Sequence, residues 1–128
     1  MSDAKSNYLE NAVLDHVLGT SAMTSPTVYL GLHTANPGES GGNEISGNGY
    51  ARLTVSFNAA SSGSASGPTA VKEFTASGGS WGTVTHFALY DALTTGNMLY
   101  YGALTASKVI ADGDTLRFAI DSITITEA

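Results

Sequence analysis

The 128-residue chain has no cysteine, which excludes disulfides and thiolate metal ligands and leaves its redox compartment open. Basic residues are almost as scarce. Lys5, Arg52, Lys72, Lys108 and Arg117 make five cations against eleven Asp and Glu. They are scattered, so no stripe exists to track phosphates and nucleic acid is not an expected partner. Charged residues are 12% of the chain, about half the usual share, while Gly, Ser, Thr and Ala abound. A polar, weakly charged surface of this kind suits packing against other proteins. No apolar run approaches the roughly 20 residues that cross a bilayer. The opening MSDAKSNYLEN lacks the basic segment and apolar core of a secretory signal. The expectation is one soluble domain over residues 1–128, with no membrane partner and no repeat of the roughly 20–50 residues that marks a solenoid.

What is present is mostly strand. WGTVTHFALYDALTTGNMLYYGAL, from Trp81 to Leu104, contains two strand-like runs around a polar turn, Asp91 to Asn97. Strict alternation sets Val84, His86, Ala88 and Tyr90 on one face and Thr85, Phe87 and Leu89 on the other. It likewise sets Met98, Tyr100 and Leu104 opposite Leu99, Tyr101 and Ala103, so both faces of the pair are predicted to be covered.

Elsewhere Asn7 and Glu10 resemble a capping box. Leu9, Ala12, Val13, Leu14, Val17 and Leu18 then form a helical stripe over about residues 7–18, ended by Gly19 and expected to cover one end of the domain. TVYLGLH alternates as a strand, and Thr34 to Gly49 reads as a long loop containing Asn36-Pro37-Gly38. Tyr50 to Phe57 alternates too, with Ala51, Leu53, Val55 and Phe57 predicted inward and Arg52, Thr54 and Ser56 toward water. Asn58 to Thr69, nearly all Ala, Ser and Gly, reads as a flexible connection. A short strand near Ala70 to Phe74 follows. Asp112-Gly113-Asp114 reads as a hairpin turn between strands at Ser107 to Ile110 and Thr115 to Thr126. Leu116, Phe118 and Ile120 share one parity and Ile123 and Ile125 the other, which requires a break near Asp121-Ser122. The predicted fold is mainly β: an antiparallel β-sandwich of about seven or eight strands over residues 27–126, with one short N-terminal α-helix.

Catalytic and ligand-binding readings are weak. Gly78-Gly79-Ser80-Trp81-Gly82 has the G-x-S-x-G spelling of a nucleophile elbow, with His86 and Asp91 as paper partners, but a strand follows where the motif needs a helix. The spacing of His16, His33 and His86 does not require a metal, and Asp112-Gly113-Asp114 lacks the remaining ligands of a calcium loop. Trp81, Tyr90, Tyr100 and Tyr101 are candidates for a sugar-stacking platform, weighed against packing roles. No catalytic residue, cofactor or metal is assigned. The best candidates for partner contact lie in the two long loops and beside the elbow-like turn: Asn36, Pro37, Glu39, Asn43, Asn48, Ser61, Ser64 and Trp81.

YLENAVLDHVLG, VYLGLHTANPGE, EISGNGYAR and the Trp81 to Leu104 segment occur in this order over most of the chain. In this they resemble a family of small tailed-bacteriophage proteins commonly labelled tail fibre or minor virion proteins. THFALYD followed by GNMLYYGAL also looks like a module of tail-collar and fibre proteins. The resemblance implies a non-enzymatic virion structural protein, made in the host cytoplasm, bound to other virion proteins and present as a homo-oligomer or in many copies. A fibre is expected to need a trimerising shaft, through heptads or a β-helix repeat, and a tip domain, and this chain has room for neither. The leading expectation is therefore a head decoration or cement protein on the major capsid protein. The alternative is a tail fibre, collar or adaptor protein with host-receptor or carbohydrate binding.

Overall fold

In the computed structural model, which describes residues 4–23, 25–39 and 41–126, the apolar runs flanking the Asp91 turn become the two longest strands. β6 (Gly82–Tyr90) and β7 (Met98–Ile110) pair antiparallel at the centre of a five-stranded sheet. β2 (Tyr29–His33) lies on the other side of β6, with the two-residue β3 (Leu53–Thr54) beyond it. β1 (Ala4–Lys5) pairs with β7, giving the order β1-β7-β6-β2-β3. Two ribbons complete the architecture. β4 (Ser64–Gly67) pairs with β9 (Ile123–Thr126), and β5 (Lys72–Thr75) with β8 (Thr115–Phe118). The single helix among the described residues is α1 (Asn7–Val17).

The sandwich core forms where the ribbons face one side of the sheet. Leu30, Leu32, Phe87 and Leu89 of the sheet share a cluster with Phe74, Leu116, Phe118, Ile123 and Ile125 of the ribbons. Each such side chain, removed from water, contributes about 1.5–3 kcal/mol before entropy is counted. On the opposite face Ala88, Tyr90 and Met98 form a second cluster, with Tyr29 and Tyr101 against it. The pair of long strands is thus covered on both faces, as the alternation predicts.

Two register shifts alter which residues share a face. One falls between Val84 and His86, the other between Leu89 and Tyr90. The first places Val84 in the sandwich core with Phe87, instead of beside His86, Ala88 and Tyr90. The second pairs Tyr90 with Met98 while Leu89 pairs with Tyr100, so Met98 joins the outer cluster and Tyr100 the core. Strict alternation misplaces both residues, because each shift sets unequal numbers of residues opposite one another, one of β6 against four of β7 at the first and a single extra residue of β7, Leu99, at the second, and an odd excess breaks the parity.

Other expectations need correction. The helix cap is Ser6, whose side chain accepts from the Leu9 amide and donates to the Met98 carbonyl; Asn7 is the first helical residue, and Leu9 at the third position cannot return a bond, so the Asn7–Glu10 capping box is not formed. Only Leu9 of the helical stripe is buried. Leu14, Val17 and Leu18 are 56%, 70% and 73% exposed, so α1 is anchored at its first turn and does not bury its stripe in the domain. The Asn58 to Thr69 connection contains β4, ordered by pairing with β9. The Asp112 turn closes through the Asp114 amide and the Ala111 carbonyl, yet it links two layers, since β8 pairs with β5 and not with β7. The predicted break is present: Asp121 has φ 62°, and both Leu116 and Phe118 before it and Ile123 and Ile125 after it are buried. Ile120, grouped with the inward set, is 55% exposed on the break itself.

Candidate functional site

Arg52 is the largest departure from the alternation pattern. It is 8% exposed, whereas Ala51, predicted inward, faces water. Only Leu53–Thr54 of the Tyr50 to Phe57 run pairs as strand, so the backbone around Arg52 is free to turn the guanidinium into the protein. There Nε and Nη2 donate to the two carboxylate oxygens of Glu44, each at 2.8 Å. Nη1 donates to the Ala92 and Thr95 carbonyls, also at 2.8 Å. The guanidinium carbon stands 3.5 Å from the centre of the Tyr90 ring. This planar fork is the geometry for which arginine, and not lysine, is suited. One side chain thereby fastens the Thr34 to Gly49 loop to the Asp91 turn.

Tyr50 extends the cluster. Its hydroxyl donates to Glu44 Oε2 at 2.6 Å and accepts from the Leu32 amide at 3.0 Å. Gly31 permits the approach, because a Cβ there would stand 3.0 Å from the Tyr50 oxygen and 3.1 Å from Glu44 Oε2. His33, fully buried, is held between the Gly42 carbonyl at Nδ1, 2.6 Å, and the Tyr90 hydroxyl at Nε2, 2.8 Å. Its ring lies nearly parallel to that of Tyr90. An open cleft of about 330 Å³ borders the network, lined by Glu44, Tyr50, Arg52, Leu93, Thr94 and Thr95.

The electrostatics follow from burial set against pairing. Burial pushes the Glu44 carboxyl up, but the Arg52 and Tyr50 hydrogen bonds and the Arg52 charge outweigh it and hold Glu44 below its ordinary value. Burial lowers Arg52, and the bonds and charge of Glu44 raise it further than that. Burial, then the negative field of Glu44, pushes the Tyr90 phenol up to about 12; burial and the bond to Glu44 raise Tyr50 as well. All these groups stay in one protonation state near neutrality, which suits a clamp and not an acid–base relay.

The predicted contact residues do not gather into one patch. Asn36 and Asn43 are exposed on the first loop, where Asn36 Oδ1 accepts from the Gly38 amide and Asn43 Nδ2 donates to the Asn36 carbonyl. Glu39 is exposed beside them and Pro37 is buried. Asn48 is exposed at φ 53°, and its Nδ2 donates to the Ser80 carbonyl. Ser61 and Ser64 sit at the β4 edge, Ser64 bonded to Thr126. Trp81 is a correction: it is 7% exposed, donates its indole N–H to the Asn48 carbonyl and packs edge-on against Tyr50. Trp81 lies in the sandwich core and Tyr90 in the outer cluster, so the proposed aromatic platform is not assembled.

Ser80, His86 and Asp91 each have local partners: the Gly82 amide, the Thr85 hydroxyl and Asn97 respectively. No relay links the three among the described residues. No group of three or more His, Asp or Glu is placed to hold a metal among those residues either. Glu44, Tyr50, Arg52, His33 and Tyr90 were all missed as a cluster from the sequence. The available signal was Glu44 and Arg52 bracketing Tyr50 within EISGNGYAR, in a chain with very few cations.

Comparison with known families gives a match over residues 4–126 to the family described as podophage GP4 fiber I protein gp80. No curated protein matches the chain.

Proposed function

We propose, since the chain belongs to the podophage GP4 fiber I protein gp80 family, that it is a non-enzymatic structural subunit of the phage tail-fibre apparatus. A phage virion structural protein of the fibre type works by associating with other virion proteins, and the family match over residues 4–126 is the observation that carries the reading. It favours the tail alternative over head decoration, for which nothing in the family description speaks. The architecture supports a rigid building block. Its loops are fastened by a buried ion pair, and its surface is polar with few charges. An exposed ridge of Leu14 and Val17 on α1 and Leu18 at its C-cap supplies apolar area for contact with a neighbouring virion protein.

The test is location and copy number. Quantitative mass spectrometry of purified particles should find a small symmetric multiple of this chain per virion, and labelled antibodies should mark the tail. Capsid-lattice numbers of copies, with label over the head, would restore the decoration reading.

A further inference from the structure

The loop that leaves β2 crosses the outer face of the sheet; Glu44 ties it to Arg52 and Tyr50, and at Gly42 it is tied to the imidazole of His33. His33 is fully buried, and the Gly42 carbonyl at its Nδ1 can only accept, so Nδ1 carries the proton. Nε2 is therefore bare and accepts from the Tyr90 hydroxyl. Both bonds are made together by the neutral Nδ1–H tautomer. Nearby, the Thr34 amide donates to the Asn43 carbonyl and the Ile45 amide to the Leu32 carbonyl, closing the base of the loop. Gly41 at φ 82° and Asn43 at φ 61° give the segment its sharp path.

The groups facing the imidazole come from every side. Glu44 pairs with His33 across an antiparallel bridge, and Arg52 stands over the Tyr90 ring. His86 is opposite on β6. Burial is the largest influence and disfavours the imidazolium; the Gly42 carbonyl and Glu44 favour it; Arg52 and His86 oppose it. The net effect holds His33 below its ordinary value of 6.5.

We propose that His33 is an acid-sensitive latch: as the neutral tautomer it holds the loop around Gly41, Gly42 and Asn43 against Tyr90, and its protonation releases that loop. Uptake of one proton places a second N–H at Nε2, so the Tyr90 hydroxyl must turn from donor to acceptor while the Gly42 bond persists, and what opposes the closed form is the cation then buried near Arg52. The open loop, with His33 in water, takes the proton more readily. The closed form is therefore fully favoured above about pH 6.5 and loses ground as pH falls below it. The open-to-closed ratio rises by at most about tenfold per pH unit, or about 30-fold between pH 7.5 and 5.0. Release would reorient Asn36, Glu39 and Asn43, so the virion contact surface on this loop would depend on pH. The latch does not depend on which virion protein the chain binds.

Hydrogen exchange of the Thr34 and Ile45 amides, corrected for intrinsic rates, tests it on the full chain. Protection should fall by up to about 30-fold from pH 7.5 to 5.0 in the native protein. It should stay flat in His33→Gln, whose amide can donate to Gly42 and accept from Tyr90 without titrating. Nitrogen NMR of the native His33 ring gives a readout that needs no variant: an Nδ1–H tautomer titrating below about 6.5 is expected. Constant protection, an unchanged pH profile in His33→Gln, or a His33 titration at or above the free value would each overturn the latch.

Discussion

Replacing Arg52 by alanine should destabilise the protein far more than removing a surface cation does. The substitution deletes four hydrogen bonds and the contact with the Tyr90 ring, and it strands the Glu44 carboxylate and the Ala92 and Thr95 carbonyls. Removing one partner of a buried ion pair costs about 3–5 kcal/mol. The Glu44 side chain is 24% exposed, so water can reach it and the expected loss sits at the low end, about 3 kcal/mol. For a domain of this size that corresponds to a fall in melting temperature of roughly 10 °C. Urea unfolding followed through the single tryptophan, Trp81, is the assay, with Arg117→Ala as control. Arg117 is 61% exposed and 3.9 Å from Glu73, so its loss should fall within about 0.5 kcal/mol. Arg52→Lys keeps the charge but not the fork, and should recover less than half of the difference. Acid should erase the distinction. Glu44 titrates below its ordinary 4.5 in the folded protein, so the pair contributes fully above that pH and its contribution is lost as pH falls through the lowered value. An Arg52→Ala loss below about 1 kcal/mol near neutrality would mean that the residue behaves as the solvent-facing cation its strand parity implies, and would refute the clamp.

Two further outcomes follow from the same packing. Gly31→Ala places a Cβ 3.0 Å from the Tyr50 oxygen and 3.1 Å from Glu44 Oε2 and the Tyr90 ring, and should destabilise by about 1–3 kcal/mol in the same unfolding assay; a neutral result would show that the network can move aside. Trp81 should emit at short wavelength and resist acrylamide quenching in the native state, because it is buried with its indole N–H bonded to Asn48. Quenching as efficient as that of free tryptophan would contradict its place in the core.

The Trp81 to Leu104 segment carries its own structure because two apolar runs around a turn leave little choice but an antiparallel pair covered on both sides. The same local logic locates α1, β2, the long first loop and the break at Asp121, where opposite parities of buried residues demand an irregularity. Local logic fails where a distant partner decides. The Ala-Ser-Gly stretch around Ser64 has no intrinsic strand signal and is ordered by the ladder to β9, where Ser64 pairs with Thr126, 62 residues away in sequence. The Asp112 turn has the spelling of a hairpin, but β5 supplies the neighbour that β8 takes.

The candidate site was the least legible part for the same reason. Alternation counts residues along a strand and assigns Arg52 to water; whether a cation can be buried depends on whether Glu44 and two carbonyls converge on it, which no spacing encodes. His33 and Tyr90 meet because β2 and β6 lie side by side, and Gly42 reaches them only after the loop has closed. By itself, then, the sequence determined the β-rich class, the short helix, the scarcity of charge and the likeness to phage tail proteins, since composition, periodicity and motif order are properties of the chain. Only the tertiary structure decided the strand partners, the bulges that reverse Val84 and Met98, and the burial of Arg52, His33 and Trp81, because each depends on groups brought together from separate parts of the chain.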